Sequence, residues 1–126
     1  MVAITINPDG DLPVFQQIHD AIVVAIARGE LRPGDTLDPV RRVAAEFGIN
    51  PATVQRAYDQ LRAEGLIESA SRSGSRVAPP SCVPPDLAGL RPILARAAAQ
   101  GTDAHTLREL IDAELAYLYG EDHHIV

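Results

Sequence analysis

The sequence has no tryptophan, no lysine and a single cysteine. Its only aromatics are two phenylalanines and three tyrosines, so a core has to be built from Val, Leu, Ile and Ala, which suits helices packed at short distance. One thiol, Cys82, excludes an intrachain disulfide and a multi-cysteine zinc site. No apolar run approaches the ~20 residues needed to span a bilayer, and the N-terminus lacks a basic-then-apolar signal pattern. The expectation is a soluble, cytoplasmic protein with no membrane partner. No Gly-rich phosphate loop follows a strand. Asp35 and Asp38, the one carboxylate pair near enough to suggest catalysis, occupy turn and cap positions. His105 stands early in the last predicted helix and His123-His124 close the chain, a pattern of solvated rather than ligating histidines. No enzyme activity, no cofactor and no metal are therefore expected.

What is present is a globular composition, 46% hydrophobic and 22% charged over 126 residues. The formal net charge of −6 argues against nucleic acid if taken whole. It divides unevenly. Residues 1–80 hold ten acids and eight arginines, a balance of −2, whereas residues 81–126 hold seven acids and three arginines, a balance of −4. DNA binding needs a local basic patch, not a basic protein, and every basic residue is Arg, the better bidentate donor.

Val2–Ile6 alternates briefly and predicts a short edge strand. Pro13 opens a predicted helix to about Arg28, with Val14, Ile18, Ala21, Ile22, Ala25 and Ile26 on one stripe. Pro33-Gly34 centres a turn. Asp38 is then a predicted N-cap with Pro39 at the first helical position, and Val40, Val43, Ala44 and Phe47 face inward up to Gly48. Asn50-Pro51 repeats the device, and the helix to about Ala63 places Val54, Ala57, Tyr58 and Leu61 on one face. Two capped helices about three residues apart, the first short, form the helix-turn-helix pattern. Leu66-Ile67-Glu68 reads as β, Ser69–Ser75 as a loop, and Arg76-Val77 as a returning strand. The fold class is thus mainly α with a small β wing: a winged helix-turn-helix domain over 1–78, a proline-rich linker over 79–85, and a short helical extension over 86–120. Pro92 interrupts the first helix of that extension or marks its start. Thr102 or Asp103 caps the second. Two short helices beyond a stiff linker cannot bury both their apolar faces alone, so the extension is expected to form a homodimer through Leu90, Leu94, Leu107, Leu110, Ile111, Leu115 and Leu118.

Residues 12–77 resemble the DNA-binding domain of the GntR family of bacterial transcriptional regulators. The resemblance rests on an ordered set: Leu12-Pro13-Val14-Phe15-Gln16-Gln17-Ile18; Gly29-Glu30-Leu31-Arg32-Pro33-Gly34-Asp35-Thr36-Leu37; Val40-Arg41-Arg42-Val43-Ala44; Asn50-Pro51-Ala52-Thr53-Val54-Gln55-Arg56-Ala57-Tyr58; and Leu61-Arg62-Ala63-Glu64-Gly65-Leu66-Ile67. The short helical remainder is similar to the YtrA-like branch, which implies a two-helix dimerisation region and, often, control of ABC-type transporter genes. Larger branches carry effector-binding or aminotransferase-like domains, for which this chain has too few residues. Two places depart from the family pattern. Asp38-Pro39 stands where Pro-Ser is usual, and the wing, Arg72-Ser73-Gly74-Ser75-Arg76-Val77, lacks the first glycine and has Arg76 in place of an aromatic.

The face of the second predicted motif helix opposite Val54, Ala57 and Leu61 offers Ala52, Thr53, Gln55 and Arg56, with Asn50 at its cap. Gln55 suits adenine, Arg56 guanine or phosphate, and Ala52 the thymine methyl. Thr53 suits a phosphate. The resemblance implies Arg41 as a contact. Arg42 is either a contact or an i, i+4 surface partner of Glu46. Arg72, Gly74 and Arg76 would meet the minor groove from the wing. The expected partners are double-stranded DNA, read as an inverted repeat in the manner of a repressor, and a second copy of the chain. A small-molecule effector is left open, and so is activation. The alternative is a winged helix serving as a protein–protein interaction module without specific DNA binding, motivated by the acidic balance and the altered wing.

Overall fold

The structure, a computed structural model, describes residues 4–70, 74–81 and 85–120. These fall into two compact units, the first ending at Ser81 and the second occupying the rest of the chain.

The first unit contains α1 (Val14–Ala27), α2 (Val40–Phe47), α3 (Pro51–Ala63), β1 (Ile67–Ala70) and β2 (Gly74–Val77). Its centre is α3, which packs against α1, α2 and β1. Ile18 and Ile22 of α1, Val43 of α2, Val54 and Leu61 of α3, Ile67 of β1 and Val77 of β2 are completely or almost completely buried, as are Ala57 and Tyr58. Burying each such aliphatic side chain is worth about 1.5–3 kcal/mol. The stripe expected for α1 is therefore the one that faces the core, narrowed to Ile18, Ile22 and Ala25, with Val14, Ala21 and Ile26 half-buried at its margins.

Local chemistry sets the helix ends. Gly48 closes α2 in the left-handed region, φ 66°, where a side chain would be strained. The N–H of Ile49 then reaches the carbonyl of Ala44 at 3.0 Å. Asn50 caps α3, its Oδ1 accepting from the Ala52 N–H at 2.9 Å, and Pro51 fills the first helical position. Three residues separate α2 from α3, as the sequence reading has it. Asp38, however, does not cap α2. Pro39 is the flanking residue, no side chain caps the helix, and the Pro39 carbonyl itself accepts from Arg42 and Val43 at 3.0 and 3.1 Å. The carbonyl of Asp38 instead accepts a 2.7 Å hydrogen bond from the buried Tyr58 hydroxyl, tying the entry of α2 to α3.

The wing is longer than the sequence pattern suggests. Ser69, Ala70, Gly74 and Ser75, read as loop, belong to strands in the register Ser69↔Ser75 and Ala70↔Gly74, continuing Ile67↔Val77 and Glu68↔Arg76. The other side of β2 is occupied too. Leu37 donates to the Ser75 carbonyl, Val77 to the Asp35 carbonyl and Gly34 to the Val77 carbonyl, each at 2.9 Å, so the segment between α1 and α2 behaves as a short third strand. The strand expected over Val2–Ile6 is absent from its described part. Asn7 spends its backbone N–H and carbonyl on the Gln17 side chain, at 2.7 and 2.8 Å, and not on a ladder.

The second unit contains α4 (Leu90–Ala99) and α5 (Ala104–Tyr119), which touch each other. Pro92 lies in the first turn of α4, so it marks the helix start and leaves no kink. Asp103 caps α5, accepting from Thr106 N at 2.8 Å. No residue of either helix is buried. Leu94, Leu107 and Leu118 are half-buried, whereas Leu90, Ile93, Leu110, Ile111 and Leu115 are exposed. No helix of the described residues is long and apolar enough to cross a membrane.

Candidate nucleic-acid interface

With Val54, Ala57, Tyr58 and Leu61 turned into the core, α3 leaves Ala52, Gln55 and Arg56 exposed, Asn50 exposed at its cap and Thr53 half-buried. An α-helix presented this way fits a major groove. Arg41 and Arg42 are exposed on α2. Arg76 is exposed and Gly74 half-buried on β2. Arg72, the remaining wing arginine singled out from the sequence, lies outside the described residues. Between α3 and the wing runs a cleft of about 330 Å³, lined by Asp38, Gln55, Tyr58, Arg62, Ser69 and Ser75 among others.

The charges on this face are not bare. Arg76 Nε donates to Glu68 Oε2, its cross-strand neighbour, at 2.6 Å. Arg42 Nη1 lies 4.0 Å from Asp38 Oδ1, one turn back, and not against Glu46 as the sequence reading allows. Arg62 donates from Nη1 to Asp59 Oδ1 at 3.1 Å and from Nη2 to Ser75 Oγ at 2.8 Å. Arg56 stacks on Phe15 of α1, its guanidinium carbon 3.7 Å from the ring centroid, a cation–π contact that holds the charged end of the side chain against α1. Arg41 has no ion-pair partner among the described residues.

Gln55 is also held. Its Nε2 donates to Asp59 Oδ1 at 2.8 Å, across one helical turn. Sequence inspection overlooked Phe15, Asp59, Arg62, Ser75 and Glu68 as parts of this face. The i, i+4 spacing of Gln55 and Asp59 and the i, i+3 spacing of Asp59 and Arg62 are signals that could have found two of them. The Phe15–Arg56 stack joins positions far apart in the chain and left no such trace.

A further overlooked residue belongs to α1. His19 of α1 is 7% exposed. Its Nδ1 lies 2.8 Å from Asp20 Oδ1 and its Nε2 lies 2.6 Å from Glu64 Oε1, the residue that ends α3. Burial alone would push its pKa down, but the hydrogen bonds and charges of Glu64 and Asp20 outweigh it and raise the pKa above the ordinary 6.5. When protonated, the imidazolium donates from both nitrogens and pins α1 to the end of α3.

Among the described residues no cluster of three or more His, Cys, Asp or Glu side chains could hold a metal ion. His105 pairs with Glu109 at 2.9 Å on the surface of α5. His123, His124 and Cys82 lie outside the described residues.

The model of the bacterial regulatory proteins of the gntR family matches residues 15–77, from α1 to the end of β2. The transcriptional repressor YtrA of Bacillus subtilis strain 168 is 35% identical over 74 residues, 59% of this chain and 57% of that protein. YtrA from Sulfolobus acidocaldarius, solved as a GntR-family transcription factor, superimposes with a TM-score of 0.65 at 36% identity, covering 76% of this chain and 97% of that one. A transcriptional antiterminator from Listeria monocytogenes EGD-e superimposes with a TM-score of 0.81 at 25% identity over 94% of both chains. The chain spans about half, or less, of the length of the curated relatives it matches.

Proposed function

Because the chain belongs to the gntR family of bacterial regulatory proteins, we propose that it is a sequence-specific DNA-binding transcriptional regulator that reads an inverted-repeat operator as a homodimer and acts as a repressor. The observation that carries this reading is the family match over residues 15–77, which spans the unit whose α3 leaves Ala52, Gln55 and Arg56 turned to solvent. In this reading α3 enters the major groove. Gln55 and Arg56 meet base edges, Ala52 meets a thymine methyl, Asn50 and Thr53 contact the backbone at the helix N-terminus, where free N–H groups attract phosphate, and Arg41 and Arg42 hold the flanking phosphates. Arg72, Gly74 and Arg76 follow the minor groove. Repression by occupying a promoter needs only this binding.

We assign the chain to the YtrA-like branch on the strength of its likeness to the two YtrA proteins. The exposed Leu90, Ile93, Leu110, Ile111 and Leu115 of α4 and α5 support dimerisation through that region, since large exposed apolar surface commonly marks an interaction site. A dimer places two copies of α3 about one helical turn of DNA apart, roughly 34–36 Å.

The test is selection from a genomic DNA library at two salt concentrations, with wild type and the Arg41→Ala/Gln55→Ala pair. The expected result is an inverted repeat whose enrichment weakens as salt rises and which the double variant loses or alters. The self-paired arginines Arg62 and Arg76 favour a second reading, a winged helix that binds another protein through the Gln55–Arg56 face. Absence of any salt-sensitive DNA enrichment from a folded dimer would select it.

A further inference from the structure

Three bonds in series cross the face that the proposed function assigns to DNA. Gln55 Nε2 donates to Asp59 Oδ1 at 2.8 Å, Arg62 Nη1 donates to the same oxygen at 3.1 Å, and Arg62 Nη2 donates to Ser75 Oγ on β2 at 2.8 Å. Ser75 is buried, 8% exposed, so the far end of the series is fixed in the sheet.

A carboxylate is an acceptor only, and a glutamine amide carries an acceptor oxygen and a nitrogen with two N–H groups. Asp59 can therefore hold Gln55 in one sense alone, with the nitrogen toward the carboxylate. The flipped amide would set Oε1 against Oδ1, two acceptors facing each other. Arg62 strengthens this choice because it holds the Asp59 carboxylate in place. One N–H of Gln55 is used by Asp59. The other N–H and Oε1, one donor and one acceptor, are left for a ligand. In the major groove adenine offers N6–H as donor beside N7 as acceptor, the complement of that pair. Guanine offers two acceptors, O6 and N7, and would set one of them against Oε1.

We propose that Asp59 is a specificity-positioning residue, which fixes the polarity of the Gln55 amide and so makes one position of each half-site read adenine. The inference rests on the reading of α3 as the recognition helix. It departs from an ordinary surface pair in its consequence: Asp59 touches no base, yet removing it weakens the base preference at one place and leaves the rest of the site as it was.

The experiment compares the full chain with Gln55→Ala, Asp59→Ala and Asp59→Lys, first by selection from a randomised DNA library and then by fluorescence anisotropy on the selected site with each of the four bases at the position Gln55 reads. Wild type is expected to prefer adenine there by roughly 5- to 100-fold. Gln55→Ala removes the preference. Asp59→Ala reduces it to within about threefold, because the amide then turns freely, while affinity rises uniformly across sequences with the loss of a negative charge. Asp59→Lys presents a donor to the amide, captures Oε1 and turns the nitrogen outward, moving the preference toward guanine or thymine. Asp59 is 61% exposed, so the variants keep their fold, and a thermal melt verifies this. An undiminished adenine preference in Asp59→Ala overturns the proposal, with DNA reading intact. Gln55→Ala leaving every position of the selected site unchanged overturns it as well. If wild type selects no repeat at all, the recognition-helix reading fails and takes this inference with it.

Discussion

Replacing Leu110 and Leu115 together by Asp should convert the protein to a monomer without unfolding it. Leu110 is 56% exposed and Leu115 44% exposed, so the two together present about one whole leucine surface per chain. A two-fold interface uses each residue twice, which makes about two leucine equivalents per dimer. At about 1.5–3 kcal/mol for each buried leucine, the loss is ~3–6 kcal/mol. At 1.4 kcal/mol per tenfold change, the dissociation constant rises by roughly 100- to 10,000-fold. Burial of the new carboxylates adds to the effect, because an unpaired charge in an apolar interface is costly. The assay is sedimentation equilibrium over a concentration series, with circular dichroism alongside. Because neither leucine is buried within its own chain, the melting transition of the winged unit should move little. A variant that stays dimeric at low micromolar concentration, with its helices intact, would refute assembly through α4 and α5.

Three further outcomes follow from particular contacts. His19 has a raised pKa in the folded protein, so its contribution to stability is fully present below pH 6.5 and is lost as pH rises through the folded value. Urea unfolding of wild type should show a midpoint that falls as the pH rises above 6.5, and His19→Leu should flatten that dependence; equal profiles for the two would remove His19 from the account. Asn50→Ala deletes the 2.9 Å cap on Ala52 N and should cost about 1 kcal/mol, read as a melting point lower by roughly 4–8 °C for a unit of this size. Arg41, without an ion pair among the described residues, should lower the salt slope of DNA binding by about one when changed to Ala, while Arg76→Ala should lower it by less, because binding through Arg76 first requires release from Glu68; a larger effect at Arg76 would contradict that ordering.

The parts of this molecule that were legible in its sequence are those governed by neighbours along the chain. Asn50-Pro51 announces the start of α3 because the cap bond spans two residues, and Gly48 ends α2 because its left-handed backbone disfavours a side chain. The spacing of Val54, Ala57, Tyr58 and Leu61 gives the buried face of α3, and with it the exposed face. Asp38 misled for a physical reason. Its type suits an N-cap, but the Pro39 carbonyl closes the first turn of α2 and leaves the side chain without that role. The wing misled because the strand propensities of Ser69, Ala70, Gly74 and Ser75 are poor, whereas β2 is paired on both sides, with β1 and with the segment at 34–37, whose Leu37 N–H reaches the Ser75 carbonyl. His19 sits beside the apolar stripe of α1 and reads as its polar edge. Only the arrival of Glu64 from the end of α3 makes it a buried clamp.

The acids interleaved with the arginines bear on specificity more than on affinity. In the proposed DNA-binding reading, Arg42 and Arg76, tied to Asp38 and Glu68 in the free protein, would exchange those partners for the DNA backbone, so the electrostatic gain from any DNA, whatever its sequence, would be reduced. In that reading, a site that also satisfies Gln55 and Arg56 at base edges would recover what the exchange costs, and a random site would not. The unit carrying α3 has a balance of −2 over residues 1–80, and by the same argument that balance is compatible with DNA reading. Specific binding depends on the difference between the right sequence and all others, and a face whose charges are already half satisfied widens that difference by weakening the common term.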